Sequence, residues 1–166
     1  MKKIIVIGCP GSGKSVFSRE LSIRTGLPVT HLDNLYWNAD RSIVPKGEFV
    51  SRLNDVMSKD RWIIDGNYAS TMEMRMDACD TVFFFDLPTE VCLEGIIQRL
   101  GRPRPDIPWI EDEGEIDAEF LSFVERYNID TRPGVLKLLS NHRDKNVIIF
   151  TSRADCENYL DKIKMS

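Results

Sequence analysis

At 166 residues the chain has the length of one ordinary domain, and 42% hydrophobic against 29% charged residues, with only 10 Gly and 8 Pro, excludes collagen-like, low-complexity and largely disordered classes. Its 22 Lys and Arg against 26 Asp and Glu leave a net charge of −4, so there is no broad positive field for coating a nucleic-acid backbone.

Five short apolar runs punctuate the chain: Lys3–Ile7, Val29–Leu32, Trp62–Ile64, Thr81–Phe85 and Val147–Phe150. They do not alternate apolar with polar, which predicts strands covered on both faces. Between them the spacing turns helical. Phe17 and Leu21 share one face after Lys14; Val91, Cys92, Ile96 and Ile97 predict an almost wholly buried helix over 90–100; Phe120, Val124 and Tyr127 mark another; Cys156, Leu160 and Ile163 mark the last. Alternating strands and helices predict an α/β domain, a five-stranded parallel sheet with helices on both faces, occupying residues 1–166 as one unit. Two stretches fit poorly and are expected to be irregular: Asp33–Lys46, and Gly101–Gly114 with Pro103, Pro105 and Pro108. Long loops in such a domain are more often lids or binding loops than idle connections.

Cys9, Cys79, Cys92 and Cys156 form no C-x-x-C pair and have only His31 and His142 for company, so neither a zinc ribbon nor a disulfide framework is indicated, and reduced thiols in a cytoplasmic chain are expected. No apolar run approaches the ~20 residues of a membrane span, and the run after Met1-Lys2-Lys3 stops at Gly8 and Pro10, short of a signal-peptide core.

The first strand runs directly into Gly8-Cys9-Pro10-Gly11-Ser12-Gly13-Lys14-Ser15, a match to G-x-x-x-x-G-K-[ST], the Walker A phosphate loop. About 0.004 matches are expected by chance in a chain of this composition. Glycines let the backbone wrap a phosphate with Pro10, Gly11, Ser12, Gly13 and Val16 contributing to the cradle, Lys14 reaches the β- and γ-phosphates, and Ser15 holds Mg²⁺. In a doubly wound sheet ligands sit beyond the carboxyl ends of the strands. Asp65, ending Trp62-Ile63-Ile64-Asp65-Gly66, is therefore the second candidate Mg²⁺ residue, against the alternative of a turn-forming Asp-Gly. Asp33, ending His31-Leu32-Asp33, is the candidate for orienting or deprotonating an acceptor hydroxyl, against the alternative of a helix cap. Asp86, before Leu87-Pro88-Thr89, is read as a helix start.

Phosphoryl transfer needs positive charge that closes over the site, and Arg99, Arg102 and Arg104 cluster where a helix enters the Pro-rich loop. Arg102 and Arg104 are the catalytic candidates and Arg99 a nucleotide contact, in a lid spanning about 99–114; the alternative is pairing with the acidic run Glu111, Asp112, Glu113, Glu115, Asp117 and Glu119. Arg126 and Arg132 are reserve candidates. Arg153 either stacks on the nucleotide base or is a surface residue opening the last helix.

The phosphate loop, strand-end Asp-Gly, Arg-bearing loop and closing helix follow the order of adenylate-kinase-like P-loop kinases, which the chain resembles. His31-Leu32-Asp33-Asn34-Leu35-Tyr36-Trp37, Trp62-Ile63-Ile64-Asp65-Gly66-Asn67-Tyr68 and Arg102-Pro103-Arg104-Pro105-Asp106 resemble, over essentially the whole chain, the bacterial family called DNA topology modulation proteins, or FlaR-related proteins. The resemblance implies ATP or GTP with Mg²⁺ at Gly8–Ser15 and a short lid around Arg102 and Arg104. Nucleoside monophosphate kinases usually continue the strand-three Asp-Gly with Phe-Pro-Arg; here Asn67 and Tyr68 follow and no arginine precedes Arg75, which argues against a monophosphate acceptor. Tyr36 and Trp37 lie in the acceptor-side segment, about 33–60, and either stack a planar or sugar-like substrate or pack the loop onto the domain. The expectation is an ATP-dependent, Mg²⁺-assisted phosphotransferase acting on a small molecule, a nucleoside or nucleotide among the candidates, with no membrane partner and no direct DNA binding. The alternative is a nucleotide-binding regulator of DNA topology or gene expression with little kinase activity.

Overall fold

The apolar runs form one parallel sheet of β1 (Lys3–Gly8), β2 (Val29–His31), β3 (Trp62–Asp65), β4 (Thr81–Phe85) and β5 (Asn146–Phe150), in the spatial order β2-β3-β1-β4-β5. The structure is a computed structural model that describes residues 1–107, 109 and 116–163. Helices fill the crossovers: α1 (Lys14–Thr25), α2 (Leu32–Tyr36), α3 (Lys46–Met57), α4 (Ala69–Ala78), α5 (Thr89–Arg99), α6 (Ala118–Asp130), α7 (Arg132–Asn141) and α8 (Arg153–Lys162). No helix among the described residues is long and apolar enough to cross a membrane.

Why the strands read as continuous apolar runs is visible in where successive residues go. Ile4, Val6, Phe83 and Phe85 belong to one core with α1, α5, α6 and α8, while Ile5, Ile7, Val82 and Phe84 belong to another with α3, α4 and α7. Each strand feeds both layers, so polar alternation would bury unpaired groups on one side. Phe17 ties α1 into the first core, with its ring 4.9 Å from that of Phe83, 5.3 Å from Phe85 and 5.2 Å from Phe150. This anchors the helix that carries the phosphate loop's last two residues.

Three expectations need correction. Asp33–Lys46 is not irregular: α2 occupies its start, and a hairpin follows in which Trp37 bridges Ile43, Asn38 N–H donates to Ser42 O and Val44 N–H donates to Tyr36 O. The Asp40 carboxylate accepts from the Ser42 N–H at 2.9 Å, an Asx turn that supplies order where hydrophobic periodicity gives no signal. The helix over 90–100 is not almost wholly buried, because Ile97 is 61% exposed and only Cys92 and Ile96 are fully buried, with Val91 partly so. Strand β5 is not covered on both faces; it is the sheet edge, with Asn146 and Ile149 exposed.

Helix α5 passes so close under the phosphate loop that a Cβ on Gly95 would lie 1.9 Å from the Gly11 carbonyl oxygen. Gly134, in α7, has nothing within 4 Å of the same construction. Gly95→Ala is therefore expected to destabilise the protein by about 1–3 kcal/mol through overpacking, and Gly134→Ala to leave it unchanged or raise it by up to about 1 kcal/mol. Urea denaturation of both variants checks the pair; equal behaviour would show that the loop yields without cost.

Candidate functional site

The phosphate loop leaves β1 with three glycines at positive φ, Gly8 at 139°, Gly11 at 79° and Gly13 at 101°. Two are also forced by space: a Cβ at Gly8 would lie 2.5 Å from Phe85 O, and one at Gly11 2.1 Å from Cys92 O. At Gly13 space is open and conformation alone makes the demand, since it is the left-handed N-cap of α1. That cap has no side-chain hydrogen bond and the first turn holds no acid, so the helix presents bare N–H groups and its positive dipole end, a setting suited to phosphate. The Lys14 Nζ donates to Cys9 O at 2.9 Å across the loop. Burial pushes its ammonium pKa down, and Asp65 opposes that shift.

A single cleft of about 1420 Å³ opens beyond the carboxyl ends of the strands and takes in Pro10, Gly11, Gly13, Lys14, Ser15 and Val16, then Asp33 and Asp65, then Arg99, Arg102, Arg104 and Arg153. Gly8 and Ser12 stand behind it: Gly8 exchanges two hydrogen bonds with the Asn67 amide, its N–H donating at 3.0 Å and its carbonyl accepting at 2.6 Å, and Ser12 is buried.

Asp65 is the junction. Its Oδ2 accepts from Ser15 Oγ at 2.7 Å and from His31 Nδ1 at 2.7 Å, while its Oδ1 is buried with no hydrogen-bond partner. A carboxylate only accepts, so the His31 hydrogen sits on Nδ1. Strand pairing sets the meeting, because His31 and Asp65 are Cα partners across β2 and β3. A hydroxyl and a carboxylate with a spare oxygen suit Mg²⁺, which favours oxygen donors and is commonly bound through one or two carboxylates plus substrate phosphates. Among the described residues no group of three or more His, Cys, Asp or Glu gathers for a metal cage.

Asp33 lies inside α2 and does not cap it; the cap position is His31. Its Oδ1 accepts from Tyr68 Oη at 2.5 Å. Burial raises its pKa, and the Tyr68 hydrogen bond partly offsets this. Tyr68 holds its hydroxyl there from a strained backbone, φ 38°, rare for a non-glycine residue. The loop is clamped by Arg75, which is fully buried: Nη1 donates to Gly66 O at 2.9 Å, Nη2 to the carbonyls of Asn67 and Tyr68, and Nε to Thr71. Desolvation lowers its pKa to about 10. The arginine nearest to the place of the acceptor-phosphate grip is thus turned inward and structural.

The remaining arginines separate. Arg99 lies 5.6 Å over the Phe120 ring. Arg104 and Arg19 flank Asp106 at 3.4 and 3.8 Å, and Asn34 Nδ2 donates to Pro105 O at 2.9 Å, so the described part of the lid segment rests on α1 and α2. Trp109 meets Trp37 edge-on at 5.7 Å with Arg41 on its face. Residue 108 and residues 110–114 of that segment, with the acids Glu111, Asp112, Glu113 and Glu115, lie outside the described residues. Arg153 Nη2 donates to Val91 O at 3.3 Å and borders Gly95. Arg126 pairs with Asp130 on the surface. Arg132 binds Asp86 through two hydrogen bonds of 2.6 and 2.8 Å, so Asp86 is a salt-bridge partner and not the start of α5, whose cap is Pro88. Tyr36 is enclosed by Phe49, Tyr68 and Trp37 at the edge of the cleft.

His31, Asn67, Tyr68, Arg75 and Asp106 have no role in a motif-based reading. Their partners are distant in sequence, and only strand register and helix placement bring them together.

No protein-family model and no curated protein matches the chain. Among solved structures it is similar to shikimate kinase from Bacteroides thetaiotaomicron (16% identity, TM-score 0.56, 96% of this chain and 94% of that one). It is likewise similar to shikimate kinase from Acinetobacter baumannii in complex with shikimate (16%, 0.58, 98% and 90%) and to a gluconokinase from Sinorhizobium meliloti 1021 (13%, 0.55, 98% and 86%). The chain has the adenylate-kinase-like P-loop NTPase fold. At these identities the likeness speaks to the fold, and the resemblance to DNA topology modulation proteins rests on the quoted residues alone.

His31 is expected to orient Asp65. His31→Leu should raise the Mg²⁺ concentration needed for ATP to stabilise the protein by about 10–100-fold, the usual effect of losing a group that orients a metal ligand. His31→Asn, which keeps an N–H at the same branch point, should retain most of it. Thermal melts across a Mg²⁺ series read both, and an unaltered Mg²⁺ dependence in the leucine variant would remove the role.

Proposed function

We propose that the chain is a nucleoside-triphosphate-dependent phosphotransferase, using ATP or GTP, that phosphorylates a hydroxyl of a small molecule. The observation that carries this is the one cleft lined by the phosphate loop, the buried Asp65 and the half-buried carboxylate of Asp33. The kinases named among the structural neighbours support the reading.

In this mechanism the loop amides and the N-terminus of α1 bind the β-phosphate, and Lys14 neutralises charge on the oxygens between the β- and γ-phosphates. Ser15 and Asp65 are the residues that would hold Mg²⁺, which when bound supplies further charge neutralisation on those oxygens. Asp33 accepts the acceptor's hydroxyl hydrogen bond, and Tyr68 steadies its other oxygen. As the acceptor oxygen bonds to the γ-phosphorus and the bond to the β-phosphate oxygen breaks, Asp33 takes the proton. Arg102 and Arg104 contribute positive charge from the lid segment, Arg99 and Arg153 border the nucleotide, and closure over the cleft keeps water from the transferred group.

Lys14→Ala should lower turnover by at least about 10²-fold while leaving the thermal melt unaltered, as for loss of one transition-state charge contact. Asp33→Asn should lower kcat by about 10²–10⁴-fold, the range for general-base groups, with nucleotide affinity unchanged by calorimetry. Because burial raises the Asp33 pKa and only the ionised form accepts a proton, activity should fall as pH drops through a value above the ordinary carboxylate range. That acidic limb should be absent from the residual activity of Asp33→Asn. Wild-type turnover in either variant would remove the corresponding role.

A further inference from the structure

We infer that the phosphoryl acceptor is an uncharged ring compound bearing hydroxyls, of the sugar or nucleoside kind, and that Asp106 keeps phosphate- and carboxylate-bearing compounds out. The inference rests on the phosphotransferase reading for the identity of the site, and concerns which molecule enters it.

An anionic acceptor is held by guanidinium or ammonium groups turned toward it. Several of the cations near Asp33 are engaged by other groups. Arg75 is buried behind the wall with its donors on main-chain carbonyls. Arg19 and Arg104 converge on one carboxylate, Asp106, which is itself buried at 6% exposure. Arg41 covers the face of Trp109. From Pro105 to Glu119 the sequence carries no Lys, Arg or His, and seven Asp and Glu.

The wall itself favours a neutral ring. Trp37, Tyr68 and Trp109 line the cleft beside Asp33. Ring faces of this kind take up the apolar C–H face of a sugar or the plane of a base. A hydroxyl on such a ring donates to Asp33, which makes the compound an acceptor. A second negative charge near Asp33 would be repelled at short range with little water between. Asp106 is therefore a specificity-determining residue: it sets its own carboxylate beside the two guanidiniums that an anionic acceptor would need, at 3.8 and 3.4 Å.

The test uses the full chain with ATP and Mg²⁺ and two matched pairs of probes, ribose against ribose 5-phosphate and adenosine against adenosine monophosphate, followed by ³¹P NMR. Tryptophan fluorescence, without ATP, reads binding of the same four compounds. In the wild type the uncharged member of at least one pair should be preferred at least about 10-fold in kcat/KM or affinity, and which pair responds separates a sugar from a nucleoside. In Asp106→Asn the preference should narrow by about 10-fold, through tighter binding of the anionic member. Preference for an anionic member in the wild type, or an unaltered ratio in Asp106→Asn, overturns the inference while leaving the phosphotransferase reading intact. Binding of the uncharged member with no phosphate transferred overturns that reading and leaves standing the selection of an uncharged ring by the cleft. No binding and no transfer with all four overturns the inference.

Discussion

A cradle of backbone amides works only if nothing but backbone lines it, and that constraint organises much of this protein. The phosphate loop runs between strand β4 and helix α5, with the carbonyls of Phe85 and Cys92 where Cβ atoms of Gly8 and Gly11 would be. The loop is thus shaped from outside, by a strand edge and a helix that reach it at van der Waals distance. Helix α5 must itself give way at Gly95, and α1 must be held to the sheet by Phe17 so that its N-terminus stays aimed at the cleft. The conformational cost of three residues at positive φ is met by packing that admits no other arrangement.

The same layering sets the electrostatics. Strands β2 and β3 end at one level, so His31 and Asp65 meet edge to edge, and Ser15, beyond β1, reaches the same carboxylate. Asp65 is a buried carboxylate satisfied on one oxygen only, and the open oxygen is the feature that suits it to a cation. Asp33, two residues past the end of β2, is half-buried and accepts a hydrogen bond from a phenol. Two acids at or just past parallel strand ends acquire different surroundings, one beside a hydroxyl and an imidazole, the other beside a phenol.

Much of this architecture was legible in the chain. Buried parallel strands write themselves as unbroken apolar runs, and all five lie within a residue or two of those runs, β5 included although its Asn146 and Ile149 are exposed. The glycine spacing of the phosphate loop is equally explicit, since each glycine answers a local demand. Asp33 and Asp65 could be picked out from their place after such runs. What could not be read were pairings across distance. Nothing near Asp86 in sequence points to Arg132, and nothing near Asp106 points to Arg19. The hairpin at 37–44 was hidden because its order comes from an Asx turn and a single bridge, not from periodic apolar residues. Ile97 was misread because helical periodicity gives which residues share a face, not whether a neighbour covers that face.

The arginine clamp has a consequence for how the molecule assembles. Arg75 reaches back only seven to nine residues to the carbonyls of Gly66, Asn67 and Tyr68, so closing that contact demands little chain entropy. Asn67 and Gly8, by contrast, are 59 residues apart, and their paired hydrogen bonds await the docking of β3 against β1. The β3–α4 turn is therefore suited to take its native shape early, as a local unit, and to offer the first strand a finished surface with Asn67 already projecting. The β3–α4 turn would in that case be among the first parts of the cleft to form and the phosphate loop among the last.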